Sequence, residues 1–276
     1  VAVHFVKETL VPLRAAASHT AEMVSQLLFG DQVSILSYSN NGNWSQVQNQ
    51  TDQYVGWVPT KSLSPSPAPP YNYRPYYFQP LFGNITLETH LGKQTMPMVR
   101  GAKIWTPKEH VNESLEFTKF VDNENNCYLF SNQALASQFP YHPDTLCQLA
   151  CEYLNAPYLW GGKSILGIDC SGLVQVVFSL MGIQLPRNAW QQATVMEQIP
   201  VAERKRGDIA FFSSSSTLDK ITHVGILLAP DQIVHASGRV HIDALNEEGI
   251  HDTRGEKTHN LHSIRRLPST YQKFDT

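Results

Sequence analysis

Residues 168 to 174 read IDCSGLV, a cysteine between an aspartate and a serine, followed by glycine and an apolar run. The pattern predicts a helix that starts at Cys170 with Asp169 as its N-cap. At that position free backbone N–H groups and the positive end of the helix dipole favour a thiolate, while the neighbouring Asp169 carboxylate opposes it. Such a thiol also needs a base. His223 and His235 each interrupt an otherwise apolar, strand-like segment, ITHVGILL and QIVHAS. If a three-residue loop at 228–230 closes a hairpin between them, the two imidazoles are direct cross-strand partners, with Cβ atoms ~4.5–5.5 Å apart. One ring can then take the thiol proton while the other fixes its tautomer and orientation, as a carboxylate or amide does in other triads. A different loop length shifts this register. The plainer reading, a buried cysteine and two core histidines, stays open at this point.

The elements that must hold these groups follow from hydrophobic spacing. In 169–182 the apolar Leu173, Val176, Val177, Leu180 and Met181 fall on one side of a helix closed by Gly182. GDIAFFS, ITHVGILLA, QIVHASG and HSIRRLP then follow as four strand candidates. Helices followed by a run of strands predict an α+β domain with helices packed on an antiparallel sheet. A further helix is expected over 143–154, with Asp144 as N-cap candidate and Leu146, Leu149, Ala150 and Leu154 on one side, which puts a boundary near residue 138. Upstream, Pro12 to Leu63 alternates like short strands, with Val33, Ile35 and Ser37 on one face before an NNGN turn, and predicts a small barrel. The proline-rich stretch 62–75 reads as an extended linker. Residues 78 to 137 hold weaker strand signals and predict a second small β domain. The expected domains are therefore 1–66, 67–138 (linker included) and 139–276.

The chain has 276 residues, 42 % of them apolar and 16 % charged, which suits a globular protein of two or three domains. A formal charge of −3 supplies no basic surface by composition, so nucleic acid and anionic membranes are not expected partners. No apolar run approaches the ~18–20 residues of a membrane span. Four cysteines are too few for a disulfide scaffold at this length; Cys127, Cys147 and Cys151 read as small core residues, with no set of metal ligands around them. His251, His259 and His262 read as surface residues, and no metal or other cofactor is expected. The sequence starts at Val1 without a methionine or a signal region, which suggests a trimmed chain.

YLWGG (158–162), DCSGLV (169–174), RGDIAFF (206–212), HVGI (223–226) and IVHAS (233–237) together resemble the NlpC family of bacterial cell-wall cysteine peptidases, over residues 140 to 268. The resemblance implies a papain-like fold and a Cys-His-His triad on Cys170, His223 and His235. It also places the family's motif tyrosine on Tyr158, where it would help polarise the scissile carbonyl beside the N–H of Cys170. The N-terminal PLRAAASHTAEMVSQLLFGDQVSIL and YVGWVP resemble the bacterial SH3-like domain of a subgroup of γ-D-glutamyl-L-diamino acid endopeptidases, in which a second such domain follows. In that subgroup the first SH3-like domain selects peptides with a free N-terminal L-Ala. The acidic residue and the tyrosine that bind this end would be Glu22 and Tyr54; the plainer reading is a surface carboxylate and a barrel aromatic. Asp169 and Ser171 could bond the D-glutamyl portion, or serve only the helix start.

One departure bears on specificity. Where relatives often carry aspartate after the arginine that follows Leu-Pro, this chain has Asn188 after Arg187, so an amide stands at the amine-binding end of the site. The expected activity is hydrolysis of the γ-D-Glu to L-diamino acid bond in peptidoglycan stem peptides or released murein peptides. The expected protein is a monomer, exported to the periplasm or cell envelope, with the cytoplasm as the alternative. Two rival readings are a wall-binding adaptor with an idle catalytic unit and an amidase that cuts the bond between glycan and peptide.

Overall fold

The computed structural model describes residues 3–64, 73–107, 116–121, 126–214 and 217–271. The chain divides into two compact units, Val1–Gln138 and Phe139–Thr276. Residues 65–72 of the proline-rich stretch, and with them the expected boundary at 66, lie outside the described residues.

The first unit opens with a six-stranded antiparallel sheet in the order Val3–Phe5, Gln32–Tyr38, Trp44–Asn49, Val55–Pro59, Leu10–Arg14, Met23–Leu28. Alternation in Leu10–Arg14 buries Val11 and Leu13, which join Val6, Leu27, Val33, Val47, Val58 and Leu63 in one core. The expected face Val33, Ile35, Ser37 fails at its last member. A register shift between Ile35 and Ser37 breaks the alternation, and Ser37 is exposed. The next strand, Tyr73–Phe78, begins inside the stretch read as linker, because Tyr76, Tyr77 and Phe78 are buried and the strand pairs with Lys103–Pro107. It belongs to a three-stranded sheet with Leu135–Ala136, beside a four-stranded sheet of Phe117–Val121, Cys127–Ser131, Phe82–Thr89 and Gly92–Val99. Phe29, just after Met23–Leu28, enters the second core with Phe78, Met98, Ile104 and Phe130, and a buried ion pair, Lys103 Nζ to Asp31 Oδ1 at 2.7 Å, links the two halves.

The second unit carries helices α1 (Pro143–Cys151), α2 (Cys170–Ser179) and α3 (Ala189–Thr194) and a seven-stranded antiparallel sheet. The sheet order is Glu197–Ile199, Lys257–Arg266, Ile209–Ser214, Thr217–Ala229, Gln232–Ser237, Arg239–Leu245, Gly249–His251; the last strand also pairs with Lys257–Arg266, so six strands close a ring. Its interior holds Ala210, Phe212, Leu227, Ile233, Leu245, Ile250 and Ile264. The cap of α1 is His142 rather than Asp144: its Nδ1 accepts from the N–H of Asp144 at 3.2 Å and Pro143 takes the first helical position, where no N–H is required. Asp144 instead bonds Arg206 at 2.6 Å. Cys127 and Cys147 are buried, Cys151 is half-buried, and all are free thiols.

The hairpin that carries His223 and His235 is closed by Ala229 opposite Gln232, with a register shift between Leu227 and Ala229. His235 therefore faces Gly225 and not His223, which corrects the direct pairing expected from a three-residue loop. The displacement is two positions, an even number, so the imidazoles keep one face and become diagonal neighbours. Across the next pair of strands His235 is the direct partner of His241, and Asp243 lies opposite Ile233. Register alone thus sets His223, His235, His241 and Asp243 on one face of three adjacent strands.

Candidate active site

The N-terminus of α2 is held by several side-chain hydrogen bonds. Asp169 caps the helix by accepting from the N–H of Gly172 at 2.7 Å, and its other oxygen accepts from the N–H of Gly161 at 2.8 Å. Arg187, 2 % exposed, closes on the same carboxylate with both guanidinium arms, at 3.0 and 2.6 Å, and donates to Ser171 Oγ at 2.8 Å. Gly172 is required by packing: a Cβ there would stand 2.2 Å from the carbonyl O of Gly162. Asp169 and Ser171 thus serve the helix start, and both carboxylate oxygens of Asp169 are engaged inside the protein. Asn188 begins α3, its N–H bonded to the side chain of Gln191 in a capping box.

Cys170 is the first residue of α2 and is 7 % exposed. Burial, then the Asp169 carboxylate, push its thiol up to about 12, against the backbone N–H groups of Val224 and Ser171 and the Arg187 charge, which favour the anion. The Val224 contact brings the sulfur to the residue next to His223. Tyr158 is half-buried beside them, its N–H bonded to the carbonyl of Gly238 at 3.0 Å and its backbone bridged to Ile168. Burial, then the nearby Cys170 and Asp169, raise its phenol, so the hydroxyl stays a hydrogen-bond donor.

His223 Nε2 lies 2.8 Å from His235 Nδ1, with the rings nearly perpendicular at 85°, and His235 Nε2 lies 3.2 Å from Asp243 Oδ2. The carboxylate only accepts, so the hydrogen of His235 sits on Nε2; His235 Nδ1 then accepts the Nε2 hydrogen of His223 and leaves Nδ1 of His223 as its lone pair. Burial, then the neighbouring imidazoles, hold His223 well below the usual histidine range, so the ring is neutral and available as a base. Thiol and imidazole are both uncharged in the resting site, and proton transfer must accompany attack rather than precede it. Accordingly, iodoacetamide alkylation of Cys170, followed by peptide mass mapping, should hold one rate from about pH 7 to 9, where neutral His223 takes the proton, and His223→Ala should slow it about tenfold or more. A rate that rises about tenfold per pH unit in the parent chain would mean that the thiolate forms without His223.

Three further residues enter this network. His259, expected at the surface, stacks on His223 with ring centroids 4.2 Å apart at 25°, because the last long strand passes beside Ile209–Ser214 and returns to the ring; burial depresses its basicity to about 4. Asp243 and His241 were not legible as site residues, although the glycine turn at Gly238 pairs Ser237 with Arg239 and so sets His241 opposite His235. Glu22 and Tyr54 lie in the other unit: Glu22 is exposed just before Met23–Leu28, and Tyr54 packs half-buried on the first core.

This arrangement, a capped thiol with an imidazole relay, is what thiol-dependent acyl transfer needs. The sequence profile of the NlpC/P60 family matches residues 155–256, and that of the bacterial dipeptidyl-peptidase Sh3 domain matches residues 13–63. The probable endopeptidase NlpC homolog of Haemophilus influenzae is 31 % identical over 131 residues, 46 % of this chain and 68 % of that protein. The chain belongs to the NlpC/P60 family of cysteine peptidases, with a bacterial SH3-like domain at its N-terminal end. The γ-D-glutamyl-L-lysine dipeptidyl-peptidase of Bacillus subtilis is 34 % identical over 93 residues, 34 % of this chain, and the match spans 31 % of that relative's length. A crystal structure of an NlpC/P60 family protein from Bacillus cereus covers 96 % of this chain and 100 % of its own, with a TM-score of 0.78 at 16 % identity, a likeness of fold.

Proposed function

We propose that this chain hydrolyses the γ-D-Glu to L-diamino acid bond of peptidoglycan stem peptides, acting on peptides with a free N-terminal L-Ala. The observation that carries the chemistry is the relay behind the buried thiol, from Asp243 through His235 to His223. As the Cys170 sulfur attacks the γ-carbonyl, its proton passes to Nδ1 of His223. The carbonyl oxygen, now negative, takes hydrogen bonds from the N–H of Cys170 and the hydroxyl of Tyr158. The C–N bond breaks, the leaving amine takes the proton from His223, and a thioester remains. Water, giving its proton to His223, then attacks the thioester and releases L-Ala-γ-D-Glu as the sulfur regains a proton.

The choice of bond rests on the SH3-like domain and on the relative named a γ-D-glutamyl-L-lysine dipeptidyl-peptidase. In this reading residues 1–66 and 67–138 are two SH3-like domains, 139–276 is the catalytic domain, and Glu22 and Tyr54 hold the alanine end. Asn188, in place of an acid, contributes hydrogen bonding without charge at the amine end. The protein works as a monomer outside the cytoplasm, on the wall or on fragments released from it. No helix among the described residues is long and apolar enough to cross a membrane.

Tyr54→Phe tests the gate. It should raise KM for L-Ala-γ-D-Glu-diaminopimelate by about tenfold, the worth of one hydrogen bond to a charged group, while the N-acetylated peptide stays a poor substrate for both proteins. Equal cleavage of free and acetylated peptide by the parent chain would remove the gate from the account.

A further inference from the structure

The face that carries the relay continues past it. His235 and His241 are direct cross-strand partners, and Asp243 follows His241 by two residues, so all three side chains leave the sheet on one side. Their ligating atoms converge: Asp243 Oδ2 is 3.2 Å from His235 Nε2 and 3.0 Å from His241 Nε2, and the three lie within 4.8 Å of one another. A tetrahedral metal with bonds of ~2.0 Å has ligand-to-ligand edges of about 3.3 Å, so two of the edges already stand close to that spacing.

The hydrogen inventory points the same way. His241 Nδ1 lies 2.9 Å from the carbonyl O of Arg239, which only accepts, so its hydrogen is on Nδ1. Nε2 is then the ring nitrogen that faces Asp243 Oδ2, so that in the tautomer with its lone pair there both atoms can ligate one cation. The way in is open: a cavity of about 420 Å³ is lined by Ser237, Gly238, Arg239, His241, Asp243 and Asp252. Side-chain exposure falls from 24 % at His241 to 5 % at Asp243 and 1 % at His235, one ligand at the mouth and two behind it.

We propose that His235, His241 and Asp243 bind a divalent transition-metal ion of the Zn²⁺ type, entering by this cavity, and that its binding switches the thiol site off through His235. Two imidazoles and a carboxylate form a zinc donor set with a position left for water. A metal on His235 Nε2 sends that hydrogen to water; neutral His235 then holds its hydrogen on Nδ1, taken from Nε2 of His223, and His223 regains one from water on Nδ1. Hydrogens balance, and the atom that must accept the thiol proton is blocked without any ligand at Cys170. The switch rests on the thiol–imidazole reading of the site; the metal site does not.

Zn²⁺ alone is the probe. Calorimetry on the Cys170→Ala chain, which removes the thiol as a competing ligand, should find one ion per chain, and adding His241→Gln should weaken it more than about tenfold. His241 is partly exposed, and circular dichroism melts check that the variant is folded. In the parent chain Zn²⁺ should slow iodoacetamide alkylation of Cys170 about tenfold or more at fixed pH, and His241→Gln should remove that protection. No binding, or binding unchanged by His241→Gln, overturns the site. Binding with unaltered alkylation, or protection that persists in His241→Gln, overturns the switch. Neither readout uses a peptide substrate, so failure to cleave any wall fragment would count against the proposed activity and leave this inference standing or falling by itself.

Discussion

Cys170→Ala should bring hydrolysis of the stem peptide down by more than about 10⁴-fold, while the melting temperature moves by only a few degrees. The size follows from the loss of a whole mechanism. Without the sulfur no thioester forms, and the relay from Asp243 to His223 has no proton to take. His223→Ala should cost nearly as much, since a neutral thiol held high by burial cannot attack without its base. The two losses are not additive: the double variant Cys170→Ala/His223→Ala should be no slower than the worse single one, because both remove the same step. Steady-state kinetics on purified variants, with product identified by mass, decides this. A Cys170→Ala chain that retains a tenth of the parent rate would place the nucleophile elsewhere.

Arg187→Met should unfold the second unit at far lower denaturant than the parent, with a loss of about 3–5 kcal/mol. The guanidinium is buried and bonds both oxygens of Asp169 as well as Ser171 Oγ. Removing it strands a buried carboxylate at the start of α2, with the N–H groups of Gly161 and Gly172 and the Ser171 hydroxyl left to hold it. Against a typical domain stability of about 5–15 kcal/mol this is a large share. Arg187→Lys keeps a charge but not the planar fork, and should lose less. Urea unfolding followed by tryptophan fluorescence measures both; a change below about 1 kcal/mol in Arg187→Met would show that the pair does not hold the helix start. The same variant connects stability to chemistry, since Asp169 is at once the cap of α2 and the neighbour of the thiol.

What could be read from the sequence is what is local in the chain. The cap at Asp169, the apolar spacing of Leu173, Val176 and Val177 and the closing Gly182 lie within one segment, and α2 forms where they predict. The two histidines stand out because each interrupts an apolar strand. The register between them was not legible, because the shift after Leu227 depends on how the loop at Pro230 closes rather than on side-chain pattern. Arg187 was not legible as the partner of Asp169 either: a charged residue in a loop carries no period, and its burial follows from how the chain folds over the 18 positions that separate them. His259 comes from a strand that reaches the site only once the sheet has closed into a ring. Asp243 shows the intermediate case. A glycine-centred turn at Gly238 with His at 235 and 241 was a usable signal, and it would have extended the relay by one carboxylate.

The most direct measurement on the central claim is intact-protein mass spectrometry of the chain acid-quenched during turnover of L-Ala-γ-D-Glu-diaminopimelate, followed by peptide mapping. A transient mass increase equal to one L-Ala-D-Glu acyl group is expected, located on the peptide that carries Cys170, sensitive to hydroxylamine and absent from Cys170→Ala. Turnover at full rate with an acyl group on another residue, or cleavage persisting in Cys170→Ala, would contradict it.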